Sequence, residues 1–397
     1  MLKMGLTLRS VLLPMLLLGA GIASLPAAAE DCEVKIGAVG PMTGGAASWG
    51  LAAKAGAEYA AALVNADGGL MVAGRKCKVA VRSFDSQYTA AGGAAGANYM
   101  ASEGVHAIAG PVGSPETTGW RPVAARNGIV NFSSSYMVGV IGPDFPLAFH
   151  ALQAPVSWGP LLIKAAQDRF HFKSMVVTAA NDQGGTDGGK QLEKMYADLG
   201  VKTNEEWYQR GTTNFAPTVA RLMSFDPDTI EISSVPPADA ATLVRQLLEA
   251  GYKGAIGSLG GTPSEPIIQG AGGVENLKAV YYLQTMAMDN VGVVQLLKGY
   301  EPQMKSPVPA NPLFPVFTVA SEQILKAISI AGTDQDGEKI AAALRSMTPE
   351  SRFLGKLGWR GKSIYGVNQE IAFPVGLGLI VDGKKLPVQE VAIPSEP

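Results

Sequence analysis

Short apolar runs alternate with helical stretches along most of this chain, and that alternation constrains the fold more than any other feature. Residues 34–40 (VKIGAVG) form an apolar run of strand length, and WGLAAKAGAEYAAALVNADGG follows with Ala and Leu at helical spacing until Gly68-Gly69 stops it. KVAVRSFDS with TAAGGAAGANYMASEG, HAIAGPV with PETTGWRPVAARNG, and then IVNFSS repeat the scheme. LAFHALQAP, 147–155, reads as extended. A second series then begins. It has a helix over 158–170, strand SMVVTAA, helix GGKQLEKMYADLG, strand VKTNEEWYQ and a helix around 216–224. Strand TIEISSV, helix ADAATLVRQLLEAG and strands GAIGSLG and LKAVYYLQ complete it.

Strands alternating with helices of this length predict parallel sheets covered on both faces. Two such series predict an α/β chain of two doubly wound lobes, and 397 residues is the right length for two cores. After Gln284 the pattern changes: LFPVFTVASEQILKAISIAG and DGEKIAAALRSM read as helices. LGKLGWRGKSIYG and EIAFPVGLGLIVDGKKLPVQEVA read as closing strands and turns. Hydrophobic residues at 47% against 17% charged are those of a folded chain, not a disordered one. With 32 basic and 34 acidic residues and no basic stripe, the electrostatic footprint of a nucleic-acid binder is missing.

The first 29 residues read as an address. Lys3 and Arg9 precede the apolar run VLLPMLLLGAGIASL, which ends at Ala27-Ala28-Ala29. This is the pattern of a secretory signal peptide cleaved after Ala29. The run is too short for a membrane span, which needs roughly 20 apolar residues. Glu30-Asp31 precede Cys32, which is not a lipid-attachment context. The mature chain is therefore expected to be soluble and exported, to the periplasm.

Cys32 and Cys77 each lie two residues before an apolar alternating run, Val34-Lys35-Ile36 and Val79-Ala80-Val81. If these runs are neighbouring parallel strands in register, the two thiols sit side by side. An oxidising compartment then favours a disulfide closing a loop of about 46 residues, contributing ~3–4 kcal/mol. The alternative is a pair of buried free thiols. Two cysteines alone do not make a closed zinc site, and no metal is expected.

The catalytic vocabulary is sparse. His106, His150 and His171 are the only histidines, each at a strand or helix edge, and H-E-x-x-H, C-x-x-C and G-x-S-x-G do not occur. Residues 184–190 (GGTDGGK) imitate a phosphate loop, but Gln191 stands where the Mg²⁺-holding hydroxyl belongs. The first strand–helix turn, GAVGPMTGG, lacks the dinucleotide spacing, so Asp85 reads as a loop or capping residue. No cofactor is expected, and no enzymatic activity.

What remains is a set of polar, glycine-flanked strand ends. In open parallel sheets ligands sit beyond the carboxyl ends of the strands, where helix N-termini offer unpaired N–H groups to an anion. GPVGSPETTG places Gly113 and Ser114 before a helix, where Ser114 either caps it or serves an anion. FSSSYM places Ser133–Tyr136 at another strand end, and Trp49 opens the first helix, where it walls a pocket or staples the helix to the core.

The stretch VKIGAVGPMTGGAASWGLAAKAGAEYAAALVNADGGL resembles the opening of periplasmic solute-binding proteins of the branched-chain amino acid and amide type, with G-P-x-T-G, an aromatic before Gly, and a helix ending in N-A-x-G-G. The resemblance continues in order through VAVRSFDS, GIVNFSSS, TNFAPTVARLMSFDPDTI and LGKLGWRGKSIYG. It implies two α/β lobes joined by three crossovers, the type I periplasmic binding protein fold, with residues 30–152 plus 286–360 in the first lobe and 153–285 plus 361–397 in the second. It implies a small-molecule ligand clamped by hinge closure, delivery to the membrane permease of an ABC importer, and a monomeric receptor. Ser114 matches the family's carboxylate-holding serine, Ser135, Tyr136 and Met137 its next loop, and Trp49 its first-loop aromatic.

The second lobe departs from the family pattern. Gln183 and Gly184 stand near an expected tyrosine, Val235 and Pro236 near another, and Gly260 where an acidic partner for a ligand ammonium is expected. A buried ammonium without a carboxylate partner is costly. The residues therefore favour a carboxylate or polar head on the first lobe and an aromatic or aliphatic body facing the second, over a standard α-amino acid. The other readings are an altered branched-chain amino acid receptor, a sensory binding protein for amides or related solutes, and an exported enzyme.

Overall fold

A computed structural model describes residues 1, 2, 5 and 32–396. Apart from residues 1, 2 and 5, the expected signal peptide and its cleavage point lie outside the described residues. The chain enters the first lobe through β1 (Glu33–Gly40), α1 (Ala47–Ala66), β2 (Leu70–Val72), β3 (Arg75–Asp85), α2 (Ala90–Ser102), β4 (Ala107–Val112), α3 (Ser114–Arg126), β5 (Val130–Ser134) and β6 (Ala148–His150). It crosses to the second lobe through α4 (Pro155–Phe170), β7 (Ser174–Ala180), α5 (Gln183–Asp198), β8 (Lys202–Tyr208), α6 (Ala216–Ser224), β9 (Thr229–Ile232), α7 (Pro237–Glu249), β10 (Ala255–Ser258), α8 (Ser264–Gly270) and β11 (Ala279–Gln284). It returns as α9 (Val291–Met304), α10 (Leu313–Ala331), α11 (Gly337–Ser346), β12 (Glu350–Ser351), β13 (Gly355–Lys356), β14 (Gly358–Arg360), α12 (Lys362–Tyr365) and β15 (Glu370–Ala372). It ends in the second lobe with β16 (Val375–Val381), β17 (Lys384–Lys385) and β18 (Gln389–Val391).

The first sheet has the order β14-β15-β6-β5-β4-β1-β3-β2, and the second the order β17-β16-β11-β10-β9-β7-β8 with β18 beside β16. The strands that carry the helical crossovers are parallel in both, as the alternation predicts. The antiparallel members are edge strands added by hairpins or by the returning chain. Sheet membership moves one expected boundary. β15 pairs with β6, Glu370 beside His150, so the chain stays in the first lobe past residue 360 and crosses only before Val375. The physical reason is the β14–β15 hairpin, whose register of Trp359 on Ile371 carries residues 370–372 back to the first sheet.

β1 and β3 run in register, Val34 opposite Val79 and Ile36 opposite Val81. This puts Cys32 and Cys77 together as a disulfide with Cα atoms 4.5 Å apart. α10 is long and apolar enough to cross a membrane, but it is a core helix here: Phe314, Phe317, Val316 and Ile324 are fully buried against the first sheet's helices. Gly56 lets α1 and α10 approach, since a Cβ there would lie 2.7 Å from the Thr318 nitrogen. α9 was not legible in the pattern, because Gly292, Gly299 and Pro302 break its periodicity; Pro302 lies inside the helix.

Candidate ligand-binding cleft

In each sheet the first strand of the lobe is flanked by strands reached in opposite directions, β3-β1-β4 and β8-β7-β9. The loops leaving such a pair of neighbours diverge and open a crevice at their carboxyl ends. The two crevices face each other here. Together they leave a cavity of about 50 Å³, lined from the first lobe by Trp49, Tyr88, Gly113, Ser114, Ser135 and Tyr136, and from the second by Gly184, Ser234, Gly260 and Gly261. Val112, Ser134, Leu152, Thr285 and Leu313 complete the wall.

The first lobe supplies a hydroxyl pair. Ser114 is the first residue of α3, and its Oγ lies 3.1 Å from Ser135 Oγ at the end of β5. Both side chains are buried. The backbone around Ser135 is already engaged: its N–H donates to His150 Nε2 at 3.4 Å, and Met137 N–H donates back to Ser135 Oγ at 3.1 Å. The paired hydroxyls at the start of α3 face the cleft, where the helix N-terminus favours negative charge.

Tyr88 was invisible in the sequence. It sits in the turn after β3 with φ of 57°, and its ring lies 5.6 Å from that of Trp49. Glycines from both lobes accommodate it. A Cβ on Gly113 would lie 2.4 Å from the Tyr88 ring, and a Cβ on Gly184 would lie 2.3 Å from its hydroxyl. Across the cleft the Arg210 guanidinium stacks on the ring at 4.4 Å, a cation–π contact. Asp182 holds Arg210 by two hydrogen bonds, one of them 2.9 Å from Nη2. Burial pushes the Tyr88 phenol well above its ordinary range.

Glu116 fixes the loop that carries Tyr88. Its carboxyl is wholly buried, accepts Val112 N–H at 2.9 Å and takes the Ser86 hydroxyl. Burial pushes it up to about 8, against the opposing pull of the Ser86, Val112 and Tyr88 hydrogen bonds. In the second lobe Glu231 plays a similar part. It accepts Leu259 N–H at 2.6 Å, Gly260 N–H at 3.3 Å and the Tyr196 hydroxyl at 2.9 Å, and so holds the Gly260 loop at the cleft. Burial raises it to about 7.

The lobes touch through polar bonds as well. Gln191 Nε2 donates to the Tyr136 carbonyl at 2.5 Å, and Gln183 Nε2 lies 2.9 Å from Thr118 Oγ1 and 3.4 Å from Met137 Sδ. With the Tyr88–Arg210 stack, these contacts make the described conformation a closed one. Asp187, one turn into α5, has one buried oxygen with no partner. Burial raises its carboxyl, while hydrogen bonds from the Ser114 hydroxyl and Gln183 draw it back.

Of the residues singled out in the sequence, Trp49, Gly113, Ser114, Ser135, Tyr136, Gly184 and Gly260 line one cavity. Met137 and Gln183 meet each other at the rim. Val235 is fully buried in the second lobe's core, and Pro236 caps α7 beside Gly45, so neither faces the cavity. The glycine run 184–189 forms the opening turns of α5 rather than a phosphate loop. Among the described residues no group of three or more His, Cys, Asp or Glu could hold a metal ion.

The periplasmic binding protein family model matches residues 33–370. The chain belongs to that family. Its members are solute-binding proteins that serve ABC transporters. The leucine-, isoleucine-, valine-, threonine- and alanine-binding protein of Pseudomonas aeruginosa is 26% identical over 347 residues, 86% of this chain and 89% of that one. Among solved structures, LivJ of Streptococcus pneumoniae, determined with isoleucine, has a TM-score of 0.73 at 19% identity, covering 91% of this chain and 99% of that one. A solute-binding protein of R. palustris, determined with 4-hydroxybenzoate, has a TM-score of 0.73 at 21% identity, covering 92% and 97%. At these identities the likeness shows the fold: two α/β lobes with mostly parallel sheets.

Proposed function

We propose that this protein is an exported, monomeric receptor that closes on a small organic carboxylate and delivers it to the permease of an ABC importer. The observation that carries the reading is the asymmetry of the cleft. The first lobe offers the Ser114–Ser135 hydroxyl pair at the N-terminus of α3, while Gly184, Gly260, Gly261 and Ser234 form the facing wall. No Asp or Glu is among the residues lining the cavity, so a carboxylate meets the serine hydroxyls there, and Asp187, which accepts from Ser114, is the one carboxylate next to them. Trp49, Tyr88 and Tyr136 supply flat apolar walls suited to an aromatic or aliphatic body. The residues proposed to carry the ligand are Ser114 and Ser135 for the head and Trp49, Tyr88 and Tyr136 for the body. Relatives in this fold were determined with benzoate and 4-hydroxybenzoate, ligands of that class.

One observation favours a second reading, a branched-chain amino acid receptor with a re-sited ammonium partner. Asp187 approaches Ser114 from the second lobe, just outside the cavity wall. Calorimetric titration with benzoate, 4-hydroxybenzoate, short aliphatic acids and leucine decides between them. The proposal expects binding of at least one acid that lacks an amino group, and loss of about 10–100-fold in affinity for Ser114→Ala, the range for a hydrogen bond to a charged group. Micromolar binding of leucine that needs its ammonium, with no response to the plain acids, would overturn it.

A further inference from the structure

The first-lobe serine loop and the hinge meet at one buried pair. His150 ends β6 and is completely buried, as is Glu370 in β15. Its Nε2 accepts the N–H of Ser135, so the ring proton sits on Nδ1 and is donated to Glu370 Oε2 at 2.8 Å. The same oxygen accepts the N–H of Ala154 at 2.9 Å, on the segment that carries the chain into the second lobe. Next to it Gln153 donates to the carbonyl of Phe373, on the last crossing, at 2.8 Å. The other Glu370 oxygen lies 3.2 Å from Arg360 Nε in an ion pair off hydrogen-bonding geometry, and Arg360 in turn faces Glu396 at 3.5 Å. The Tyr365 ring stands edge-on to the imidazole at 6.4 Å.

Each link consumes a group that would otherwise be orphaned in a dry interior. A neutral imidazole has one donor and one acceptor, and this one uses both. A carboxylate with Arg360 beside it accepts from a ring N–H and a backbone N–H at one oxygen. Ser135 therefore cannot swing its backbone toward the cleft without leaving Nε2 unpaired, and Ala154 cannot shift without leaving Glu370 short of a donor. Leaving either group unpaired in the dry interior is costly enough to tie the two movements together.

We infer that His150 is a positioning residue for ligand capture, and that with Glu370 it couples the serine loop to the hinge crossings. The inference rests on the reading of the cleft as the ligand site. Occupancy of the Ser135 loop and the geometry of the 151–154 and 373–374 crossings are then two readings of one hydrogen-bonded relay rather than independent events.

Amide hydrogen exchange on the full chain tests it, with His150→Leu and His150→Gln. Gln keeps one acceptor and one donor; Leu keeps neither. In His150→Leu the amides of both Ser135 and Ala154 should exchange about threefold to tenfold faster, although Ala154 does not touch His150. In His150→Gln both should stay within about twofold of the wild type. The affinity for whichever of benzoate or leucine binds the wild type should follow the same order. Acceleration at Ser135 alone, with Ala154 unchanged, would show a merely local bond and overturn the coupling, as would equal behaviour of Leu and Gln. If neither compound binds the wild type, the proposed ligand class fails, and the exchange measurements still decide the relay. Thermal melts of both variants guard against a global loss of the fold.

Discussion

Substituting Glu116→Gln should change the pH dependence of stability in a direction that the structure determines. Glu116 is raised to about 8 in the folded chain, against 4.5 for a free glutamate. The folded state therefore holds its proton more tightly than the unfolded state. The stability it contributes is complete below about pH 4.5 and is lost as pH rises through about 8. At about 1.4 kcal/mol per pH unit, the ceiling of that loss is about 5 kcal/mol. Glutamine is neutral throughout. It can accept Val112 N–H with its oxygen and donate its NH₂ to Ser86 Oγ, because a hydroxyl both gives and takes. Urea unfolding from pH 5 to 8.5 should find the two proteins within about 1 kcal/mol at pH 5. The variant should be the more stable by about 3–5 kcal/mol at pH 8.5. Glu231 and Glu322, each raised to about 7 by burial, give both proteins a common slope, so the difference between them is the quantity to read. A pH-independent difference, or a variant less stable at pH 8.5, would refute the burial argument. Because Glu116 anchors the turn bearing Tyr88, alkaline loss of order at this turn should also weaken ligand binding.

Three further outcomes follow from the geometry. Gly184→Val should block closure, because its Cβ would stand 2.3 Å from the Tyr88 hydroxyl; small-angle scattering should find no compaction with ligand, while the melting temperature moves by only a few degrees. Asp187→Asn reads the ligand's charge. Burial raises the Asp187 carboxyl, and a plain carboxylate should bind the variant several-fold more tightly wherever Asp187 is ionised, with a flatter acid limb. An ammonium-bearing ligand should bind it more weakly, so calorimetry on this variant separates the two ligand classes. Replacing Cys32 and Cys77 together by Ser should lower unfolding free energy by about 4 kcal/mol in denaturant titrations; a loss under about 1 kcal/mol would contradict the loop-closure argument.

Much of the first lobe was legible because its signals are local. The V-K-I and V-A-V alternations left open a parallel β1–β3 register, and the structure has it, which brings Cys32 and Cys77 together. Ser114 announced itself by standing between a strand end and a helix start. Tyr88 gave no such signal. It lies in an ordinary turn, and its place in the cleft depends on Gly113 from its own lobe and on Gly184 and Arg210 from the other. Val235 and Pro236 follow a strand, the place of a cleft-facing loop, but the chain turns Val235 into the core before α7 begins.

By itself the sequence determined the alternation, hence two doubly wound lobes, two cysteines that meet if β1 and β3 lie in register, and a hydroxyl-bearing strand end at Ser114. Periodicity, glycine stops and helix starts act between near neighbours, and near neighbours are what a sequence displays. Only the tertiary structure decided which side chains meet across the cleft, where the chain finally crosses back after β15, and that His150 and Glu370 join the serine loop to the crossings. Those contacts unite residues up to 220 positions apart, and they depend on how two rigid sheets are set against each other, which no local pattern records.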